Sequence, residues 1–183
     1  MSASPGAGGA SIYREAIGVP RWFTFLILGG MGFVGFIVGL ESTRNSLAGF
    51  ERVMFYAFML LALLVQGFVA LNFLSLSVSV SSDSVQFAYG MFKRRFKWSQ
   101  VTSYSVQRYD WKRYGGWGLR FGPHGRRAWS VPGVGEGVAF QVEEKGQSRE
   151  YFVSSRKPAE FAQAVAAAWG HVAKQENGDP GRA

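Results

Sequence analysis

The chain of 183 residues contains no cysteine and only two histidines. Without cysteine there is no disulfide framework, no thiol nucleophile and no cysteine-based zinc or iron–sulfur site. The histidines, His124 and His171, lie far apart in the sequence, and neither has a second ligand at the spacing that a metal site requires. We therefore expect that the protein uses no metal and no cofactor.

Motifs for enzymatic chemistry are missing as well. The sequence has no P-loop, no GxSxG and no HExxH. A glycine-rich run at residues 133–137 neither follows a clear strand nor opens a helix, as a dinucleotide-binding fingerprint must. The neighbouring carboxylates Glu143 and Glu144 would point to opposite faces of a strand, which favours a role in a turn or at the surface. We expect a protein that is not an enzyme.

Charge is absent from two long apolar stretches. Residues 22–40 form 19 positions with a single polar side chain, Thr24, and residues 53–74 form 22 positions with two amides, Gln66 and Asn72. At about 1.5 Å per residue, helices of this length match the roughly 30 Å hydrocarbon core of a bilayer. We predict a two-helix transmembrane hairpin within residues 21–74. The first run is too long for a signal peptide, and no cleavage pattern follows it.

Small residues in the two apolar stretches predict helix packing. Gly32, Gly35 and Gly39 share one face of the first helix, and the last two form a GxxxG pair. On the second helix, Gln66 lies within a stripe of small residues and predicts an interhelical hydrogen bond. These faces serve either oligomerisation or the contact between the two helices. We favour the contact, because a short loop makes the helices neighbours.

Positive charge dominates the rest of the sequence. The net charge is +8, and residues 75–183 hold 16 basic against 9 acidic residues. A basic protein attached to a membrane has anionic lipid as its nearest anionic partner. The candidate residues for contact with lipid headgroups lie in three basic clusters: Lys93, Arg94, Arg95, Lys97, Lys112, Arg113, Arg126 and Arg127.

These clusters allow a second interpretation, in which the basic face is simply solvated and sets the membrane topology. Trp111, Trp117 and Trp129 beside the clusters suit either interfacial anchors or core aromatics. Nucleic acid is not expected as a partner, because a membrane anchor would keep the domain near lipid. The distribution of lysine and arginine predicts a multi-pass protein of the cell (inner or plasma) membrane with both termini in the cytoplasm.

After the second apolar stretch, the periodicity changes to the alternation of strands. Seven or eight short strands are predicted, followed by one capping helix that Pro158 opens and whose apolar stripe runs from Phe161 to Trp169. The predicted fold is a membrane α-helical hairpin followed by a mainly-β barrel or sandwich at residues 75–173. Residues 1–20 are expected to be flexible, with a short interfacial helix at residues 12–18, and residues 174–183 to form a disordered tail.

Several segments of this region resemble the bacterial pleckstrin-homology-like domains. The run FKWSQV at residues 96–101 is similar to an aromatic-x-Trp-x-x-aliphatic step of that family, and YGGWGLR at 114–120, GVGEGV at 133–138 and residues 154–165 are similar to its later part. The resemblance implies a PH-like domain behind one or two membrane helices, and it implies no catalytic residues. Two functions remain open: docking on anionic headgroups, or a membrane-anchored module for protein interaction or self-assembly, with homo-oligomers or other membrane proteins as partners.

Overall fold

The computed structural model describes residues 11–178 and divides the chain into two compact units. The helical unit is Val19–Leu74. The β unit combines residues 11–18, which precede the helical unit, with residues 75–178, which follow it. The helical unit is therefore inserted into the β unit rather than attached to one end of it.

Two long helices build the helical unit: α1 is Arg21–Arg44 and α2 is Gly49–Phe73. Both are long and apolar enough to cross a membrane. Many of their large apolar side chains are exposed, and the exposed fraction reaches 85% at Leu71. The backbone N–H of Val19 donates to the carbonyl of Leu74 over 3.0 Å, so the two ends of the unit lie side by side. The prediction of two long apolar helices is confirmed.

Over its described residues, the β unit contains two sheets and two further α-helices. The strands are β1 Ser11–Gly18, β2 Ser75–Ser81, β3 Ser84–Tyr89, β4 Phe92–Lys97, β5 Val101–Arg108, β6 Gly118–Phe121, β7 Arg127–Ser130, β8 Glu136–Glu144 and β9 Gln147–Ser154; the helices are α3 Trp111–Tyr114 and α4 Pro158–Gly178. One sheet has the order β1-β2-β3-β4, and the other has the order β5-β8-β9-β7-β6. Neighbouring strands are antiparallel except for β7 and β9. The predicted mainly-β region with a C-terminal helix is confirmed at this level.

The first strand corrects the expectation of a flexible segment with a short interfacial helix at residues 12–18. These residues pair with β2 along their length, from Ser11 opposite Ser81 to Gly18 opposite Ser75. Ile17 is completely buried in the core. The alternation of β1 is short, and its partner strand lies beyond the whole helical unit, so the local pattern did not reveal the pairing.

Aromatic side chains fill the space between the two sheets. The ring of Phe87 lies 4.8 Å from that of Trp129, and the ring of Phe96 lies 4.6 Å from that of Tyr151. The hydroxyl of Tyr89 donates to the carbonyl of Ser130 over 2.8 Å. The second sheet is thereby fixed against the first by apolar contact and by a buried hydrogen bond.

Helix α4 packs on the core through the predicted stripe. Phe161, Val165 and Ala168 are completely buried, and the ring of Phe161 stacks on Tyr13 of β1 at 5.4 Å. The helix continues to Gly178, which is beyond the predicted start of a disordered tail at residue 174. Residues 1–10 and 179–183, where flexible segments were also expected, lie outside the described residues.

A carboxylate of β1 holds the segment that leads into α4. Glu15 accepts hydrogen bonds from the hydroxyl of Ser155 at 2.6 Å and from the backbone N–H of Arg156 at 2.9 Å. The Arg156 guanidinium donates to the carbonyl of Gly18 at 3.0 Å. The strand that precedes the helical unit is therefore part of the β core and of the entry to its last helix.

We predict that a fragment beginning at Ser75 unfolds far more easily than a chain in which Gly18 is joined to Ser75 by an Asn-Gly turn. The two residues are paired neighbours on antiparallel strands, so a two-residue turn can replace the helical unit. The fragment without β1 loses the buried Ile17 and the Glu15 contacts, which together are worth about 3 kcal/mol or more. Urea unfolding followed by tryptophan fluorescence measures the difference, and equal midpoints would contradict the role of β1.

Candidate functional site: an arginine cluster at the end of the sandwich

On three neighbouring strands, every second side chain faces the core, and we call each such set a row. The apolar members of each row are flanked at one end by a charged residue. The row on β8 ends at Glu144, the row on β9 ends at Arg149, and the row on β7 ends at Arg127. The buried members of these rows are Val138, Phe140, Val142, Tyr151, Val153 and Trp129. On the opposite sheet, Arg94 of β4 stands directly across from the buried Phe87 and so lies on the core-facing side as well.

These charged ends meet around Glu144. Its carboxylate accepts a hydrogen bond from the Arg149 guanidinium at 3.0 Å and one from the Tyr151 hydroxyl at 2.9 Å. A nitrogen of the Arg94 guanidinium lies 3.7 Å from the second carboxylate oxygen. Arg127 donates to the Tyr151 hydroxyl at 3.1 Å and lies against the Tyr151 ring. We call these five residues, Arg94, Arg127, Glu144, Arg149 and Tyr151, the arginine cluster.

The electrostatics of the cluster favour an anion. Burial opposes the charge of Glu144, but the hydrogen bond from Tyr151 and the charges of Arg127, Arg149 and Arg94 outweigh it and lower the pKa of this carboxyl below its ordinary value. Burial, together with the hydrogen bond to Glu144, raises the pKa of the Tyr151 hydroxyl. At neutral pH the cluster therefore holds three positive charges and one negative charge.

The cluster is open to solvent. The Arg94 side chain is 43% exposed, while those of Arg149 and Glu144 are 24% and 21% exposed. Phe121, which pairs with Arg127 across β6 and β7, is 67% exposed, and its ring lies 5.3 Å from the Arg127 guanidinium. An anion from outside can reach the guanidinium groups, and an apolar ring lies next to them.

The other predicted headgroup residues do not join this cluster. Arg95 forms an ion pair with Asp83 at 2.7 Å, on the other face of β4. Lys97 pairs with Ser84. This pair lies at the end of the sheet that is far from Gly18 and Ser75, the two residues that flank the helical unit. Lys93 and Lys112 are exposed, and Arg126 is half-buried next to Gly122. Of the eight predicted residues, Arg94 and Arg127 are brought together here.

Arg113 belongs to a second, structural network on the outer face of the larger sheet. Its guanidinium lies 2.6 Å from the buried carboxylate of Glu150, which also accepts a hydrogen bond from Tyr114. Removing one partner of such a pair leaves a buried charge without compensation, at a cost of about 3 kcal/mol. Arg113 is thus tied to the stability of the sheet.

The tryptophans beside the basic residues differ in burial. Trp129 is buried between the sheets, and Trp117 packs on Tyr109 at 4.7 Å. Trp111 is 53% exposed, with the Lys112 ammonium over its ring.

Sequence reasoning did not single out Arg149 or Phe121, and it assigned Glu144 to a turn. Strand register could have indicated these residues. Glu144 and Arg149 each lie two positions from a buried core-facing side chain, and Phe121 pairs with the basic Arg127.

Within the helical unit, the predicted glycines lie away from the contact between α1 and α2. An added Cβ at Gly32, Gly35 or Gly39 would meet no atom of the described chain within 4 Å, whereas one at Gly30 would lie 3.3 Å from the Gln66 amide. The buried Ile27 and Val34 share the Gly30 face. Gln66 lies at the helix contact, but its Oε1 is buried without a hydrogen-bond partner among the described residues, so the predicted interhelical hydrogen bond is not seen at that atom. Gly30 lies at the contact where the other glycines were expected.

Among the side chains that the structure describes, no three histidine or acidic residues are grouped so as to hold a metal ion. Comparison of the chain with protein-family models, with curated proteins and with solved structures found no match. The arginine cluster and the apolar helices are the features of the chain that point to a function.

We predict that replacing Glu144 with Gln flattens the dependence of stability on acid pH. The folded-state pKa of Glu144 is lowered from 4.5, so its stabilisation is complete above the unfolded pKa and is lost as the pH falls through the folded pKa. Native-state hydrogen exchange of the β8 and β9 amides in full-length protein should show a smaller loss of protection for Glu144→Gln than for the wild type between about pH 6 and pH 3. Glu143→Gln, on the opposite face, is the matched control, and identical acid losses in all three proteins would contradict the assignment.

Proposed function

We propose that this chain is an integral membrane protein whose two helices cross the bilayer as a hairpin and whose β unit docks on the anionic headgroups of the same membrane. The observation that carries the proposal is the arginine cluster, which presents an excess of positive charge on a domain joined at two points to apolar helices. No enzymatic step is part of the proposal.

The exposed apolar surface of α1 and α2 supports insertion. Large apolar side chains are exposed along both helices, and a contiguous surface of this extent is rare on proteins surrounded by water. Val19 and Leu74 are hydrogen-bonded neighbours, and Gly18 and Ser75 are paired. A unit whose two ends lie together must cross the membrane an even number of times, which favours a hairpin.

The chain connections support docking. Only Leu74 separates the end of α2 at Phe73 from the start of β2 at Ser75. Arg94 pairs with Phe87, which in turn pairs with Val78 of β2. Val78 lies three residues after Ser75, where β2 begins, which is about 10 Å along the strand at about 3.3 Å per residue. Each basic group near an anionic leaflet contributes about 1 kcal/mol.

Orientation and fold family are further parts of the proposal. The excess of lysine and arginine outside the loop between the helices favours a cytoplasmic β unit and cytoplasmic termini, in a cell membrane. Two packed sheets closed by a C-terminal helix support a PH-like assignment. Two features depart from a simple PH-like layout: the first strand precedes the helical unit, and β7 runs parallel to β9.

One observation favours the alternative function, a membrane-anchored module for self-assembly or protein interaction. Gly32, Gly35 and Gly39 lie on α1 without filling the contact to α2, so this face of small residues is available to another helix. The two functions differ in their dependence on charge. Headgroup docking is sensitive to salt and to arginine substitutions, whereas helix association in the membrane is not.

We predict that docking depends on Arg94 and Arg127. The chain lacks cysteine, so a single Cys introduced at the exposed position of Phe121 can carry an environment-sensitive dye. In lipid nanodiscs, the dye emission should shift to the blue when anionic lipid is present, and the shift should vanish at high salt. The double variant Arg94→Gln/Arg127→Gln should lose most of the shift.

The matched control is Arg95→Gln/Lys97→Gln, which removes the same charge from the opposite face and the far end of β4. It should retain the shift. A second dye on Cys at Ala166, an exposed position on α4, controls for effects of the disc itself. An unchanged emission in neutral and anionic discs would contradict docking and leave the interaction module as the better proposal.

We also predict the membrane topology. A Cys placed at Ser42, in the last turn of α1, should react with a membrane-impermeant maleimide on intact spheroplasts. A Cys placed at Ala166 should react only after permeabilisation. Labelling in the reverse pattern would place the β unit outside the cell, and labelling of both positions from outside would argue against a hairpin that crosses the membrane.

A further inference from the structure

We infer that the arginine cluster is a binding site for a phosphomonoester headgroup, so that the anionic lipid it selects has the chemistry of phosphatidic acid. This inference rests on the proposed docking and makes it specific. A diffuse basic surface would attract any anionic lipid according to charge, whereas a built site distinguishes a terminal phosphate from a phosphodiester.

The charge of the cluster matches a phosphomonoester. Three guanidinium groups and one carboxylate leave an excess of two positive charges. A phosphomonoester carries about −1.5 to −2 at pH 7, while a phosphodiester headgroup carries one negative charge. The monoester neutralises the cluster and the diester leaves it positive, so the desolvated complex with the monoester is the more stable of the two.

The cluster is also organised before an anion arrives. Arg127 is fixed by its hydrogen bond to Tyr151 and by the rings of Phe121 and Tyr151, and Arg149 is fixed by its bond to Glu144. Arg94 approaches from the other sheet and lies 3.7 Å from Glu144, which is longer than a hydrogen bond. Its fork of N–H donors therefore remains able to bind an incoming phosphate in a bidentate manner.

Phe121 gives the site a preference for lipid over free phosphate. Its ring is 67% exposed and lies beside the Arg127 guanidinium. A phosphate held by Arg127 and Arg94 on a lipid would bring the glycerol and first acyl carbons near this ring. Burial of that apolar surface is a contribution that inorganic phosphate cannot make.

The test uses full-length protein in neutral detergent micelles, titrated calorimetrically in three arms: dioctanoyl phosphatidic acid, dioctanoyl phosphatidylglycerol and inorganic phosphate. We expect phosphatidic acid to bind most tightly. Arg94→Gln and Arg127→Gln should each weaken its binding by about tenfold or more, because each removes charge-assisted hydrogen bonds to the phosphate. Arg95→Gln, the same change on the other face of β4, should leave the affinity unchanged.

Glu144→Gln separates a binding defect from a folding defect. It removes the negative charge beside the three arginines, so it should tighten binding of phosphatidic acid by about threefold or more. A damaged fold cannot produce a gain in affinity. Weaker binding by this variant, while its β8 and β9 amides remain protected from hydrogen exchange at the pH of the titration, would overturn the site.

The other outcomes separate this inference from the proposed function. Equal binding of both lipids, with equal losses for Arg94→Gln and Arg95→Gln, would overturn the specific site and leave charge-driven docking in place. Binding of inorganic phosphate as tight as that of phosphatidic acid would overturn the lipid assignment. Binding of neither lipid by the wild type would overturn both the site and the docking.

Discussion

The pairing of β1 with β2 is the constraint on which the rest of the structure depends. Gly18 lies opposite Ser75, so the whole helical unit is the connection between two neighbouring antiparallel strands. Such a pairing forms only when both ends of the inserted unit are at the same place, because non-local strand contacts form after their loop is closed. Completion of the β unit is therefore coupled to formation of the hairpin.

Strand β1 contributes both to the core and to the position of the arginine cluster. Ile17 fills the core, Glu15 fixes the entry to α4, and the register of β1 with β2 and onward to β4 determines the level of Arg94 in the smaller sheet. Arg127 and Arg149 come from the larger sheet, which packs on the smaller one through Phe87, Trp129 and Tyr151. A change in the packing of the sheets would separate Arg94 from the other two arginines.

Much of the fold was predictable because it has local patterns. The uncharged stretches, the serine alternation of Ser75–Ser81 and the stripe of α4 each follow from spacing within one element. Three features were not predictable from spacing. The pairing of β1 depends on a distant strand, the orientation of Gly30 toward Gln66 depends on how α1 is rotated, and the arginine cluster depends on the register of strands from both sheets.

The negative charge of Glu144 opposes the mutual repulsion of three arginines, which would otherwise destabilise the sheets around the arginine cluster. Three guanidinium groups near one another repel, and partial burial increases that repulsion because the local dielectric is lower than that of water. One carboxylate, hydrogen-bonded to Arg149 and Tyr151 and close to Arg94, offsets part of the repulsion and orients the donors. A second carboxylate would reduce the excess to one positive charge, and an apolar residue in place of Glu144 would leave Arg149 and Tyr151 without this hydrogen-bond acceptor. A single internal anion leaves an oriented excess of two charges, which is the arrangement that a dianionic headgroup completes.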